Sequence, residues 1–298
     1  MELSWVTKLR IGAALALGAV GLGLCAWPVV ASKDPMGVVS AANVATPEAV
    51  FLVGLSFLVG VGGYFVAWPY GRPIGFLTVP AGLAVWAIRS HEICSLMQRA
   101  PSGLQRAGIY ASLRWDSLFW LALIGSGLAG VWVASRLRPA QSGTFHNPLQ
   151  DTRSKANLLL DAAVALVMSL AIGYVVVAIL AQGTQLAGRD IATQPAPAQI
   201  VFAVMVAFGT AGFVTGKISR LGPCWPTVAS AVLPMAAGLF YARADALEDL
   251  ASAYPATCFK TSVMAILPVQ MVAFGALGAA AGYWLAVRYE CGHPRKPG

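Results

Sequence analysis

The chain has 298 residues, of which 58% are hydrophobic and 11% are charged. Soluble domains average roughly 45–50% apolar and about 25% charged residues, so composition excludes a soluble globular fold. The formal net charge of +8 would suggest a nucleic acid partner in a soluble protein. In a membrane protein such an excess is explained by topology, and we expect no nucleic acid partner.

Eight apolar stretches are long enough to cross a bilayer, whose hydrocarbon core of about 30 Å needs about 20 helical residues. They cover residues 11–30, 49–68, 74–88, 117–135, 158–180, 200–216, 227–242 and 262–287. The short third and seventh stretches are expected to continue as helix toward Leu96 and Leu250. The sequence therefore predicts an all-α integral membrane protein with eight transmembrane helices, whose first partner is the lipid bilayer.

Residues 1–31 allow a second interpretation. Lys8 and Arg10 precede an apolar run that ends in the small residues 29–31, which is the order found in a cleavable signal peptide. The apolar run is long for such a peptide and has a counterpart in the fifth stretch. We therefore treat it as a membrane span.

The last four stretches resemble a degraded copy of the first four. The matching features are residues 130–136 (GVWVASR) with 282–288 (GYWLAVR), Pro80 with Pro234, and Arg89 with Arg243. Two copies of a four-helix unit enter the membrane from the same side, so we expect a pseudo-two-fold axis along the membrane normal. The predicted organisation is a first four-helix unit over 1–138, a cytoplasmic linker over 139–157, and a second four-helix unit with a short basic tail over 158–298.

The loops divide unequally by charge. Those on the side of the N-terminus hold 12 basic and 4 acidic residues, whereas the opposite loops hold 8 of each. Basic loops stay in the cytoplasm, so both termini are predicted to be cytoplasmic, with a bacterial inner membrane as the location. The nine tryptophans are expected in two interfacial belts, with Trp27, Trp86, Trp115 and Trp120 at the outer ends of helices.

One group of polar residues is a candidate site on the outer side. It consists of Arg89, His91, Glu92, Arg114 and Asp116. Folding the third and fourth spans about residues 102–103 brings Arg89 level with Asp116, so we expect an ion pair between them. The pair would either clamp the hairpin or take part in binding or proton handling.

The five cysteines offer one possible disulfide, between Cys94 and Cys258 on the outer side. They show no CxxC spacing and no neighbouring histidine, so no metal site is predicted. His91, His146 and His293 all lie outside the middle of the spans, which excludes haem held by two histidines in the bilayer. No nucleotide-binding or hydrolase motif is present, so we assign no catalytic residue, identify no cofactor, and do not expect an enzyme.

Small residues recur at packing distance within the spans, as at Gly54, Gly60 and Gly63. Three prolines, Pro80, Pro234 and Pro268, are predicted to interrupt spans. Together these features favour a non-catalytic polytopic membrane subunit or scaffold, which binds protein partners in a larger assembly through Gly/Ala helix faces and outer hairpins. The alternative is a transporter or channel with a pathway between the two four-helix halves.

Overall fold

A computed structural model describes residues 4–34, 37–139, 155–183, 191–219 and 221–292. Its helices are α1 Trp5–Gly18, α2 Trp27–Val30, α3 Thr46–Val66, α4 Gly71–Gly75, α5 Thr78–Arg89, α6 Ile93–Gln98, α7 Gly103–Leu113, α8 Asp116–Leu137, α9 Lys155–Leu180, α10 Pro197–Ile218, α11 Cys224–Tyr241, α12 Ala244–Ala253 and α13 Pro268–Gly292. Two short strands, β1 Ala192–Thr193 and β2 Cys258–Phe259, pair antiparallel. A π-helical segment, Ala19–Leu24, continues α1.

Within the described residues, eight helical segments are long and apolar enough to cross a membrane. They are Trp5–Leu24, Thr46–Val66, Gly71–Arg89, Gly103–Leu137, Leu159–Leu180, Pro197–Ile218, Cys224–Tyr241 and Pro268–Glu290, and we refer to them as the first to eighth spans. This confirms an all-α membrane protein in contact with lipid. The fourth span has 35 residues, or about 52 Å of helix, and α8 alone is long enough to cross, so α7 extends beyond the hydrocarbon core.

The loops gather at two ends of the bundle. Residues 37–45, 90–102, 191–196 and 242–267 form one end, which we call the hairpin end. There the Val39 N–H donates to Ser90 Oγ at 3.0 Å, and the Gly103 N–H donates to the Glu248 carboxylate at 2.6 Å. At the opposite end, called the linker end, the Tyr64 hydroxyl donates to the Arg138 carbonyl at 2.6 Å. Most of the predicted linker, residues 140–154, lies outside the described residues, and α9 begins at Lys155.

Two helix pairs pack through glycine. Between α3 and α8, a Cβ on Gly60 would overlap the backbone of Gly127, and between α10 and α13 a Cβ on Gly282 would overlap that of Gly209. Such close approach requires residues without side chains, which is how lipid-embedded helices associate. The first pair joins the second span to the fourth, and the second pair joins the sixth span to the eighth. The two pairs therefore occupy corresponding positions in the predicted repeat.

The two halves do not bury their spans equally. In the most apolar stretch of the third span 78% of residues are buried, and in the eighth 72%, but in the seventh only 39%. A strict two-fold axis would bury the third and seventh spans alike. The third and eighth spans therefore form the centre of the bundle, and the duplication stays a prediction.

The three span prolines have different surroundings. The third span breaks between α4 and α5, and because Pro80 has no N–H to donate to the Phe76 carbonyl, the break falls one turn before it. The predictions for Pro234 and Pro268 were wrong. Pro234 lies inside the continuous helix α11 and does not interrupt it. Pro268 is the first residue of α13, where a missing N–H costs no intrahelical bond. Ser262–Ala265, expected to begin the eighth span, form a separate 3-10 turn.

The first span is part of the folded core. Its π-helical segment shifts the backbone hydrogen bonds, and the Gly23 carbonyl accepts the Trp86 indole N–H at 2.9 Å. Trp86 and Trp120 are fully buried with ring centroids 6.0 Å apart, so their predicted place in an interfacial belt was wrong. Trp115 and Trp132 are each 54% exposed, at opposite ends of α8, as a belt requires.

Candidate functional site

Asp116 is held by the loop between the first and second spans. It is the first residue of α8 and only 2% exposed. Its carboxylate accepts the Ala41 N–H at 3.0 Å and the Ser40 hydroxyl. A carboxylate at a helix N-terminus is also favoured by the helix dipole. Backbone and hydroxyl donors of the loop therefore hold the Asp116 carboxylate in place.

The predicted ion pair between Arg89 and Asp116 was wrong. The Arg89 guanidinium lies over the Trp27 ring, 4.4 Å from its centroid. The loop of residues 37–45 explains why Arg89 and Asp116 do not pair. The Val39 N–H donates to Ser90, next to Arg89, and the Ala41 N–H donates to the Asp116 carboxylate. Among the described residues the ion pair at this end joins Arg99 to Asp34, and their side chains are 47% and 44% exposed.

The rest of the predicted polar cluster is spread over the hairpin end. His91 is exposed. Glu92 accepts the Cys94 thiol at 3.4 Å, and burial together with this neighbouring carboxylate raises the pKa of Cys94 to about 11. The Arg114 guanidinium lies over Trp115, 5.3 Å from the ring centroid, and its Nε is buried without a hydrogen bond in the described part of the chain. The five residues share one end of the molecule without forming one site.

The possible disulfide between Cys94 and Cys258 does not form, because both are free thiols. The Cys94 sulfur is directed to Glu92 on its own segment. Cys258 is buried on β2, where its backbone is paired with Thr193 of β1. The two cysteines are thus held by different partners in different halves.

Two cavities between the halves were not anticipated from the sequence. The first, called the Arg106 cavity, is lined by Met97, Arg106, Tyr110, Leu247, Leu250, Cys258, Phe259, Lys260 and Met264. The second, called the Arg114 cavity, is lined by Ile93, Tyr110, Leu113, Arg114, Pro234, Ala237, Gly238, Val263, Met264, Ile266 and Pro268. Both use Tyr110, whose hydroxyl donates to the Met264 carbonyl at 3.2 Å. That bond crosses from one half to the other and separates the two cavities.

Arg106 is the most unusual residue at this end. It is 6% exposed, and its Nε donates to the Ala100 carbonyl at 3.0 Å. No carboxylate lies within ion-pair distance of it among the described residues. Arg106, Tyr110 and Arg114 are each four residues apart, so they lie along one face of α7. The four-residue spacing of these polar residues is visible in the sequence. The sequence does not show, however, that the second half of the chain covers this face of α7.

The described residues contain no group of three or more His, Cys, Asp or Glu side chains able to hold a metal ion. Comparison with protein-family models, curated proteins and solved structures finds no match for this chain.

Proposed function

We propose that the chain is a non-catalytic subunit or scaffold of a larger membrane assembly, held there through a depression on its lipid-facing surface. The observation that carries this proposal is the open space at Gly54 on α3 and Gly125 on α8. A Cβ added to either glycine would meet no atom within 4 Å. The Ser126 hydroxyl donates to the Val53 carbonyl at 2.8 Å, so the two glycines lie at the same level of neighbouring helices. We call this the Gly54–Gly125 depression.

The depth and composition of this depression suit a transmembrane helix of a partner. It lies about 12–14 Å along α3 and α8 from the hairpin end, close to the middle of a 30 Å hydrocarbon core. The exposed residues Ala122 and Ala129 extend it along α8 at helical spacing. Small faces at this depth let two helix backbones approach closely, and van der Waals contact then drives association in lipid.

The interior of the bundle also favours a subunit over an ion-coupled transporter. The Gln270 side chain on α13 donates to the Ala87 carbonyl on α5 at 3.4 Å, which joins the two central spans. The acidic residues of the described spans lie near helix ends, as Glu48 and Asp161 do. Ion-coupled transporters normally have carboxylates near the middle of the membrane. Burial of a charge there costs free energy, so such residues usually belong to an ion or proton pathway.

Co-purification from native membranes in mild detergent tests the proposal. We expect stoichiometric partners with the parent protein and their loss with Gly54→Leu or Gly125→Leu, which fill the depression. Gly12→Leu is the matched control, because Gly12 is also exposed with no atom within 4 Å of an added Cβ. Unfolding temperatures in detergent should match for all four proteins. A parent that purifies alone would refute the subunit function, and partners that survive both substitutions would refute docking at the Gly54–Gly125 depression.

A transporter or channel is the second candidate, because both cavities lie between the halves at the hairpin end. A pathway between halves would begin at such a place. Reconstitution in liposomes distinguishes the two functions. Flux of a solute through the purified chain, abolished by Arg106→Gln, would support the transporter and not the scaffold.

We also propose that both termini lie in the cytoplasm of a bacterial inner membrane, and that the chain arose by duplication of a four-helix unit. The loop charges of +8 and 0 support the orientation. The glycine-mediated pairs α3–α8 and α10–α13 support the duplication, because they occupy corresponding places in the two halves.

A further inference from the structure

We propose that two exposed arginines at the linker end, Arg72 and Arg138, bind the headgroup phosphate of an acidic phospholipid. Arg72 lies in α4, and Arg138 directly follows the last residue of α8. We call these two side chains the Arg72–Arg138 patch. The proposal depends on the membrane class of the chain and not on the subunit function argued above.

The end of α8 brings the two arginines together. Arg72 donates from Nε and Nη2 to the Ser135 hydroxyl at 3.1 and 2.9 Å. The Arg138 N–H donates to the Ala134 carbonyl at 3.0 Å, so the hydrogen bonds of α8 continue to Arg138. Ser135 and Arg138 are three residues apart and are therefore neighbours on the helix surface. Because the Tyr64 hydroxyl of α3 donates to the Arg138 carbonyl, the patch lies where the second, third and fourth spans meet.

Both side chains of the patch are ordered although they are exposed. The Arg138 guanidinium lies over the Trp68 ring, 4.1 Å from its centroid. Trp68 in turn packs against buried residues of α3 and α8. The Arg72 guanidinium is held by its two bonds to Ser135. A ligand therefore meets two cations whose positions are already fixed, which lowers the entropy cost of binding.

The two guanidinium groups keep donors for an anion. Within the described part of the chain the ion pair is Arg99 with Asp34, at the opposite end, so no carboxylate there lies within 4 Å of either patch arginine. Nη1 of Arg72 and the side-chain nitrogens of Arg138 donate to none of the described residues. Guanidinium N–H groups match the oxygens of a phosphate in spacing and direction.

The depth of the patch matches that of lipid phosphates. Trp132, near the end of α8, is 54% exposed, and exposed tryptophans lie at the headgroup level. Ser135 lies about 4.5 Å further along the helix axis, away from the hydrocarbon core. Three exposed apolar side chains at the same end offer a surface for acyl chains, Phe65 and Val66 on α3 and Leu137 on α8. The patch and this apolar surface together fit a phospholipid better than a free ion.

The charge of the patch favours an acidic headgroup over a zwitterionic one. Phosphatidylglycerol carries the phosphate charge alone, whereas phosphatidylcholine adds a quaternary ammonium. That ammonium would lie beside two guanidinium groups, and like charges at such a distance repel each other. Clusters of basic residues at a membrane surface attract acidic lipids for the same reason.

The test uses the full chain, delipidated in detergent, at constant ionic strength. Unfolding temperature is measured in micelles with increasing phosphatidylglycerol, and in parallel with phosphatidylcholine or inorganic phosphate at the same concentrations. Because the patch forms only when three spans are docked, a bound lipid stabilises the folded chain. We expect a saturable rise of several degrees with phosphatidylglycerol and a much smaller one with the other two. An equal rise with phosphatidylcholine or with inorganic phosphate would overturn the proposal.

Variants locate the site. Arg72→Gln and Arg138→Gln should each weaken the apparent affinity for phosphatidylglycerol several-fold. Lys8→Gln is the matched control, because it removes an exposed positive charge at the same end and should respond as the parent does. If Arg72→Gln does not fold, Arg138→Gln decides, since it loses only a guanidinium stacked on Trp68. An unchanged response in the arginine variants, or an equal weakening in Lys8→Gln, would show that no site exists at the patch.

Discussion

The carboxylate of Asp116 accepts the backbone N–H of Ala41 at 3.0 Å, across 75 residues of chain. This bond ties the connection between the first two spans to the start of α8. The same loop reaches α5 through Val39 and Ser90. The connection therefore belongs to the packed structure of the hairpin end.

The Asp116 bond predicts which polar substitutions destabilise the protein. Asp116→Ala leaves the Ala41 N–H without its acceptor and should lower the free energy of unfolding by about 1–3 kcal/mol. Arg89→Ala removes a stacking contact with Trp27 and should cost less, about 0.5–1 kcal/mol. Denaturant unfolding in detergent measures both.

A double-mutant cycle checks that these two residues act independently. The double variant should show the sum of the single effects to within about 0.5 kcal/mol, because Arg89 and Asp116 share no partner. A larger coupling free energy would mean that they form the ion pair the structure lacks.

Glycine substitutions should separate packed from open positions on α3. Gly60→Ala places a methyl group against the backbone of Gly127 and should destabilise the protein by about 1–3 kcal/mol. Gly54→Ala meets no atom and should be neutral or slightly stabilising, since alanine favours a helix. Thermal unfolding of both variants and the parent in the same detergent measures the two effects. Equal losses at the two positions would contradict the close α3–α8 contact.

The raised pKa of Cys94 predicts its reactivity. Burial and the Glu92 carboxylate both disfavour the thiolate and raise the pKa from 9.0 to about 11. Alkylation requires the thiolate, so its rate at this residue should be low at pH 8 and rise about tenfold per pH unit until pH nears 11. The folded chain holds this proton more tightly than an unfolded one, so the corresponding stability is present below pH 9 and lost as pH approaches 11.

Glu92→Gln supplies the comparison for Cys94. Removing the carboxylate charge should lower the pKa of Cys94 and make alkylation at pH 8 several-fold faster. Mass spectrometry of the peptide containing Cys94 reports this site separately from the other cysteines. An unchanged pH profile would show that Glu92 does not influence the thiol.

Single-cysteine labelling tests the proposed orientation. Gln98 is exposed at the hairpin end and Pro139 at the linker end. With the five native cysteines replaced by serine, a membrane-impermeant maleimide should label Gln98→Cys in intact cells and spare Pro139→Cys. Permeabilised cells should show labelling of both. Labelling of Pro139→Cys alone in intact cells would reverse the orientation.

The membrane class, the span count and the helical spans could be predicted from the sequence. Burial of a helix in lipid depends on about 20 consecutive apolar residues, which is a local property of the chain. The ends of the spans could not be predicted where prolines occur. Pro268 begins a helix, whereas Pro80 lies one turn after a break in one. Whether a proline starts a helix or breaks one depends on the backbone around it.

The sequence by itself determined which residues lie at the hairpin end, and the tertiary structure alone decided which of them touch. Arg89 and Asp116 are level on neighbouring spans, but the loop of residues 37–45 comes between them. Arg106 resembles an ordinary surface arginine until α12 and β2 of the second half cover it. Contacts between residues far apart in the chain arise when whole helices dock, and the periodicity of each segment carries no information about its partner.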